Sequence, residues 1–397
     1  MVNTESSRLA RPGRLGAYGT TVFAEMSALA AASGAVNLGQ GFPDEPGPVE
    51  VLEVARQAIT DGANQYAPGR GMPALLDAIA DHSRRTYSQD VDPNSEILVT
   101  AGATEAIAAS VLALCGAGDE VVTFEPFYDS YAATIELSGA RRRVVPLEPA
   151  DDGWAFDPEE LRGAITPQTR MILLNTPHNP TGRVFSHDEL ALVAELCIEH
   201  DLLAVTDEVY EHLVFSGPAA PRHERLATFD QMRERTLTIS SAGKTFSVTG
   251  WKIGWVIGPP FLVSSVTAVK QFLTFTNGTP FQLGVAAGLR LPDDRLHRVV
   301  GRLQERRDQL CGGLESLGWP VMRPQATYFA TVDAGALGGT DARQFCLDLV
   351  QSVGVAVIPM TVFYDEQHRS SGNRLVRFAF CKRESVIAEA LDRLAKW

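Results

Sequence analysis

Ser240-Ser241-Ala242-Gly243-Lys244-Thr245-Phe246-Ser247-Val248-Thr249-Gly250-Trp251-Lys252 is the stretch on which the reading of this chain turns. It sets two lysines among small, hydroxyl-bearing and glycine residues. The whole chain has only five, at Lys244, Lys252, Lys270, Lys382 and Lys396, and uses arginine elsewhere. An amine whose pKa is depressed can lose its proton and attack a carbonyl, which a guanidinium cannot do. The same stretch also reads as a polar surface loop with two solvated lysines. What decides between these lies on either side of it.

At 397 residues the chain is long enough for two domains, and 45% hydrophobic with 21% charged residues is an ordinary globular composition. A net charge of −13 and a pI near 5.1 argue against nucleic-acid or anionic-membrane partners. The five cysteines, Cys115, Cys197, Cys311, Cys346 and Cys381, are scattered, with no C-x-x-C pair. That spacing suggests neither disulfides nor zinc, and the histidines also lack metal-ligand spacing. No signal peptide and no apolar run of membrane length is visible, so a cytoplasmic protein is expected.

Residues 1 to about 16 read as frayed, followed by a helix from Val22 that ends at Gly34. Val36–Asp44 is a short apolar strand running into Gly39 and Gly41, which mark either a turn or a close backbone approach to a ligand. From Ile97 strands and helices alternate. Ile97–Thr100 turns at Gly102 into Ala103-Thr104 and an alanine-rich helix, a pairing that offers free N–H groups and a positive dipole end to an anion. Met171–Leu174, Leu202–Thr206, Thr236–Ser240 and Ile253–Ile257 read as buried strands, and Ser186–Glu189 as a capping box. Longer helices are expected over 260–275 and 297–317, then strands at 328–332 and 375–380. Repeated β-α units across 97–260 predict a mostly parallel α/β sheet, and from about Pro260 the pattern changes to that of a second, smaller α+β domain.

The chemically interesting residues follow strands. Asn175–Gly182, Asp207–Tyr210 and the Lys244 loop all leave strand C-terminal ends, which in a parallel sheet share one edge. Asn179, Asp207, Tyr210, Lys244 and the helix start at 102–104 therefore converge on one pocket. An anion cradle, a carboxylate, a phenol, an amide and a reactive amine together suit pyridoxal 5′-phosphate (PLP). Its aldehyde needs a lysine, its ring nitrogen a buried carboxylate, and its phosphate a helix N-terminus.

The runs N-T-P-H-N-P-T-G (Asn175–Gly182), D-E-V-Y (Asp207–Tyr210), S-A-G-K-T-F-S-V-T-G-W-K-I-G-W (Ser241–Trp255) and R-F-A-F-C-K (Arg377–Lys382) resemble those of class I/II aminotransferases of PLP fold type I. The likeness covers the chain from about Val22 to its C-terminus. V-N-L-G-Q-G-F-P-D, N-Q-Y at Asn64–Tyr66 and E-P-F-Y-D-S-Y at Glu125–Tyr131 resemble the branch of kynurenine, glutamine, methionine and N-succinyldiaminopimelate aminotransferases, the last most of all.

The resemblance implies a domain division and residue roles: an N-terminal segment (1–48) packing with the small domain, a large α/β PLP-binding domain (49–290) with a mostly parallel seven-stranded sheet, and a C-terminal small α+β domain (291–397). Lys244 is the Schiff-base lysine and proton shuttle, while Lys252 and Ser241 contact the phosphate with Ala103 and Thr104. Asp207 partners the ring nitrogen, Tyr210 and Asn179 the 3′-oxygen, with Asn175 in support. Tyr128 stacks on the ring, and its neighbour Phe127 belongs to the core. Arg377, with Gly41 and Asn179, holds the substrate α-carboxylate, a task that suits a planar fork. A homodimer is implied, with Tyr66 reaching the partner's phosphate; Arg70, in the same loop but at a position where relatives vary, is only a candidate to face an acidic substrate group across the interface. The amino donor is expected to pass its nitrogen to a 2-oxo acid, 2-oxoglutarate, in ping-pong fashion, with N-succinyldiaminopimelate the first choice of substrate. A Cβ–S lyase would use the same residues. A PLP-sensing regulator is not expected, because about 20 residues before the first helix leave no room for a DNA-binding domain.

Overall fold

The computed structural model describes residues 13–15, 21–150, 153–217 and 220–397. The expected frayed start at residues 1–16 lies almost wholly outside the described residues.

Seven strands build the main sheet: β1 (Ile97–Ala101), β2 (Glu120–Glu125), β3 (Arg141–Pro146), β4 (Thr169–Asn175), β5 (Leu203–Asp207), β6 (Thr236–Ser241) and β7 (Ile253–Ile257). Their spatial order is β1-β7-β6-β5-β4-β2-β3. Every pairing from β3 across to β6 is parallel, whereas β7 runs antiparallel to both β1 and β6. The central strands are apolar on both faces because helices cover both. One core layer gathers Val121, Leu173, Val205 and Ile239 with the helices Gly102–Leu114 and Pro260–Lys270. The other gathers Val99, Ile253 and Trp255 with the helices Val49–Thr60, Pro73–Tyr87 and Thr279–Leu289.

A second sheet of β8 (Val321–Met322), β9 (Phe329–Asp333), β10 (Ile358–Pro359) and β11 (Leu375–Ala379) runs in the order β8-β9-β11-β10, antiparallel throughout. The N-terminal segment joins it from the other end of the sequence. Val36–Asn37 pairs parallel with Val355–Ala356, and Ala379 N–H donates to Leu38 O at 2.6 Å. The helix Val22–Ser33, capped by Thr21 and stopped by left-handed Gly34, packs there too.

The helices after β7 differ from the sequence reading. The expected 260–275 helix stops at Lys270, and Thr279–Leu289 is a separate helix that the sequence pattern did not reveal. Pro280 in its first turn explains the new start, and apolar residues all round (Pro280, Val285, Ala286 and Leu289 buried) erase the amphipathic period. The long helix begins at Asp293, earlier than expected, because Pro292 sets its N-cap. The helix after β2 starts at Ser130, and the capping box at Ser186 is formed in both directions over the helix His187–Glu199.

Candidate active site

Register in the parallel sheet makes the site. Asn175 at the end of β4 sits beside Asp207 at the end of β5, and Asp207 beside Ile239 of β6. Asn175 Nδ2 donates to Asp207 O at 2.8 Å and to Pro177 O at 3.2 Å, while its Oδ1 accepts Asn179 N–H at 2.7 Å. One buried amide thus ties the loop carrying Asn179 to the neighbouring strand. Strand β6 ends in Ser241 and turns at once into the short helix Ala242–Thr245, which lifts Lys244 over the same edge.

A cavity of about 190 Å³ lies there, and ten of the residues expected from sequence line it. Asp207, Tyr210, Asn175 and Asn179 form one side, Lys244 and Ser241 another. Ala103, Thr104, Lys252 and Tyr128 complete it. Phe127, by contrast, is buried in the core.

Electrostatics sharpen the picture. Asp207 is 4% exposed, and burial pushes its carboxyl up to about 6, opposed by the Tyr131 hydroxyl, which donates to Oδ2 at 2.6 Å. Its other oxygen has only a long 3.4 Å contact from Val209 N–H. Burial pushes the Lys244 amine down to about 8. Its Nζ stands 3.4 Å from Gly41 O and 5.6 and 5.5 Å from the ring centres of Tyr210 and Tyr328. The Tyr210 hydroxyl is pushed up by burial.

The helix Gly102–Leu114 presents its first turn to the cavity, where the first N–H groups of a helix lack intrahelical partners. Two glycines bring it there. Gly102 has φ +75°, and a Cβ at Gly254 on β7 would lie 2.5 Å from the Gly102 carbonyl carbon and 2.7 Å from Ala103 N. Lys252, itself at φ +53°, lays its ammonium against Gly102. The end of the helix is therefore doubly positive.

Arg377 comes from the second sheet, on β11. It is 2% exposed, with Nη1 donating to Asn179 Oδ1 at 2.9 Å and Nη2 to Gly39 O at 3.2 Å. Its guanidinium carbon lies 3.8 Å from the centre of the Phe329 ring and 4.7 Å from that of Phe363. Burial lowers its pKa to about 10, its Nε is buried without a partner, and no carboxylate among the described residues pairs with it. A desolvated fork on an aromatic floor is a strong carboxylate receptor.

Four expected residues do not line this cavity: Arg377 and Gly41 reach its edge through Asn179 and Lys244, whereas Tyr66 and Arg70 stand apart from it. Tyr66 is 83% exposed and packs edge-on to Phe275 at 5.6 Å. Arg70 donates to Ile97 O at 2.7 Å, burial lowering its pKa. Gly41 participates through its carbonyl, which accepts the Tyr328 hydroxyl at 2.6 Å. Conversely, Tyr131 and Tyr328 were given no role from sequence. Tyr131 follows Tyr128 by three residues in the same motif, and the two rings meet edge to face at 5.8 Å.

The family model for aminotransferase class I and II matches residues 33–394. A probable N-succinyldiaminopimelate aminotransferase of Mycobacterium tuberculosis is 51% identical over 388 residues, 96% of this chain and 97% of that protein. The Escherichia coli methionine aminotransferase is 39% identical, over 96% of this chain and 97% of its own length. Among solved structures, the M. tuberculosis N-succinyldiaminopimelate aminotransferase superposes with a TM-score of 0.94, covering 97% of this chain and 99% of the other. A Thermus thermophilus aspartate aminotransferase variant superposes at 0.87 with 31% identity, over 97% of this chain and 98% of its own. Motif order, sheet topology and full-length similarity agree, and the chain belongs to the class I and II aminotransferases, an α/β enzyme of that family's fold-type-I architecture.

Proposed function

We propose that this aminotransferase uses PLP in the cavity at the ends of β4, β5 and β6 and transfers the amino group of an N-acylated diamino dicarboxylate, N-succinyldiaminopimelate, to 2-oxoglutarate. The observation that carries the proposal is the poised pair. A lysine amine pushed down to about 8 and a carboxyl pushed up to about 6 face one cavity, with no counterion among the described residues bonded to either.

The donor set suits PLP. Lys244 supplies the amine for the aldehyde. Ala103, Thr104, Ser241 and Lys252 supply amides, hydroxyls and a charge for the phosphate. Asn179 and Tyr210 serve the 3′-oxygen, and Tyr128 gives an aromatic face. The Asp207 oxygen left open by Tyr131 serves the ring nitrogen. When bound, PLP supplies a carbonyl for the amine and a protonated ring that takes up the electron pair released at the substrate Cα.

The chain's own residues do the rest. Lys244 Nζ, substantially neutral near pH 8, takes the Cα proton and returns one later. Asp207 keeps the ring nitrogen protonated, and a cation beside it restores the carboxylate that burial alone disfavours. Arg377 and Asn179 grip the α-carboxylate and so aim the Cα–H bond. The Tyr328 hydroxyl anchors Gly41 beneath Lys244.

The substrate assignment rests on the 51% identity and nearly complete mutual coverage with the M. tuberculosis enzyme, against 39% and 37% for the methionine and kynurenine enzymes. A homodimer is part of the proposal. Tyr66, Phe272, Leu273 and Phe275 are exposed apolar residues on neighbouring loops, as a subunit contact requires. A reducing cytoplasm suits five unpaired, buried cysteines.

The test is a panel of amino donors with 2-oxoglutarate, read as the spectral change of the cofactor in each half-reaction. N-succinyldiaminopimelate should outperform methionine, glutamine and kynurenine in kcat/KM. Turnover of hydrophobic donors with none of the acylated diamine would reject the substrate. Absence of any cofactor band dependent on Lys244 would reject the site.

A further inference from the structure

Behind the amino-transfer cavity lies a second constellation that the reaction does not use. Two residues after Tyr210 the chain places His212, whose Nδ1 stands 2.9 Å from the Oγ1 of Thr245, the residue after Lys244. The opposite nitrogen of His212, Nε2, meets His82 Nε2 at 3.0 Å. His82 comes from the helix Pro73–Tyr87, with its own Nδ1 3.2 Å from Thr86 Oγ1 and its Nε2 3.9 Å from Glu211 Oε2. One ligand atom from each of His82, His212 and Glu211 lies within 4.8 Å of the other two.

Two imidazole nitrogens on one tetrahedral zinc ion stand about 3.3 Å apart, given Zn–N bonds of about 2.0–2.1 Å. The observed pair needs to relax by only a few tenths of an ångström. Each imidazole is also oriented through its far nitrogen by a threonine hydroxyl, the arrangement that fixes metal-ligating histidines.

The surrounding charge favours a cation. Glu208 and Glu211, both fully buried side chains, share the single guanidinium of Arg225, which lies 3.3 Å from Glu208 and 2.8 Å from Glu211. One guanidinium for two carboxylates leaves a site that a cation suits, and His223 Nε2 lies 3.0 Å from Glu208 Oε2. Glu211 Oε2 also accepts the Tyr87 hydroxyl at 2.7 Å, so it is the weakest of the three ligands and the two imidazoles carry the binding. Access exists as well. His82 and His212 line a cavity of about 470 Å³, with Asp293 and His297 of the long helix on its wall, from which water can complete the coordination.

We infer that His82, His212 and Glu211 form a binding site for one divalent transition-metal cation of the zinc class, distinct from the amino-transfer cavity. A nitrogen-rich set with one carboxylate selects zinc, cobalt or nickel over magnesium or calcium. Through Thr245, an ion there tethers the Asp207–His212 turn to the short helix that bears Lys244.

The test uses the PLP-loaded, chelator-treated enzyme. Equilibrium dialysis should show uptake of one Zn²⁺ per chain, and Co²⁺ should give the visible band of tetrahedral coordination. Thr86→Val keeps both imidazoles and should weaken affinity at least about tenfold, with His82→Gln weakening it further. Far-ultraviolet circular dichroism and the cofactor band report whether each variant is folded. No uptake by the wild type means that the two imidazoles share only an N–H···N hydrogen bond, and overturns the site. Uptake unchanged in folded Thr86→Val and His82→Gln proteins places the ion elsewhere and overturns it equally.

Discussion

The segment Asp207–His212 faces two ways, and its two faces solve the burial of charge differently. Toward the cavity it sends Asp207 and Tyr210; away from it, Glu208 and Glu211. On the far face Glu211 accepts bonds from Arg225, Tyr87 and Ser240. Burial works to raise its pKa, but the Arg225 guanidinium, together with the adjacent His212 and His82, more than offsets that and holds the carboxyl well below the usual range. On the cavity face Asp207 has one hydroxyl and, among the described residues, no cation bonded to it, and burial pushes it up to about 6; burial pushes Lys244 down to about 8. Compensated charge holds the fold together, and uncompensated charge stays within reach of neutral pH, where proton transfer is useful.

The sharpest way to break this contrast is Lys244→Ala. It should lower kcat/KM by about 10⁴-fold, the upper range for losing a proton-transferring group, while thermal stability is unchanged or raised. Single-turnover kinetics and a melting curve measure the two halves. Arg225→Met attacks the other face. It leaves two buried carboxylates without their cation and should cost about 3–5 kcal/mol of stability in a urea titration, with the folded fraction keeping near-native kcat. Equal loss of kcat in the folded fraction would erase the division between the faces.

Arg377→Lys is intermediate. Loss of the planar fork should reduce kcat/KM by a factor of about ten to one hundred, corresponding to about 1.5–3 kcal/mol for a charged hydrogen bond, with amines lacking an α-carboxylate unaffected. The smallest effect is Tyr131→Phe. The hydroxyl favours the ionised form of Asp207, so its removal raises that pKa and should move the acidic limb of the pH–rate profile upward by about one unit. The linked stability follows from proton counts. Asp207 binds more protons folded than unfolded between its ordinary pKa of 3.8 and about 6, so its contribution falls as pH rises through that window. Lys244 binds fewer protons folded than unfolded between about 8 and 10.5, so its contribution improves as pH rises there.

Much of the cavity was legible in the sequence because its residues follow apolar strand runs, and parallel strands deliver their ends to one edge. Asn175, Asp207 and Ser241 are local consequences of that rule. The far face was not legible. Arg225 reaches Glu208 and Glu211 from a loop without periodic pattern, and His82 meets His212 across 130 positions of sequence. Nor did β7 betray its direction, since a short run buried on both faces carries no mark of polarity. The helix Thr279–Leu289 escaped for the related reason that a helix apolar on all sides has no period to read.

That reversed strand has a dimensional consequence. After β6 the chain makes the short helix Ala242–Thr245 and a single 3-10 turn, Thr249–Trp251, and must re-enter the sheet at Ile253, alongside β1 and β6 together. Gly254 is pressed against Gly102 and Ala103, so the far end cannot slide. The backbone between Lys244 and Lys252 is therefore clamped at both ends and acts as a gauge block. In the proposed reaction it sets the separation between the covalent anchor and the phosphate anchor, and so measures the length of a single molecule. One residue inserted at Ser247 should leave the amine reactive toward simple aldehydes while loosening the hold on the cofactor. Selection by length is then written into the topology of the sheet as much as into the side chains around it.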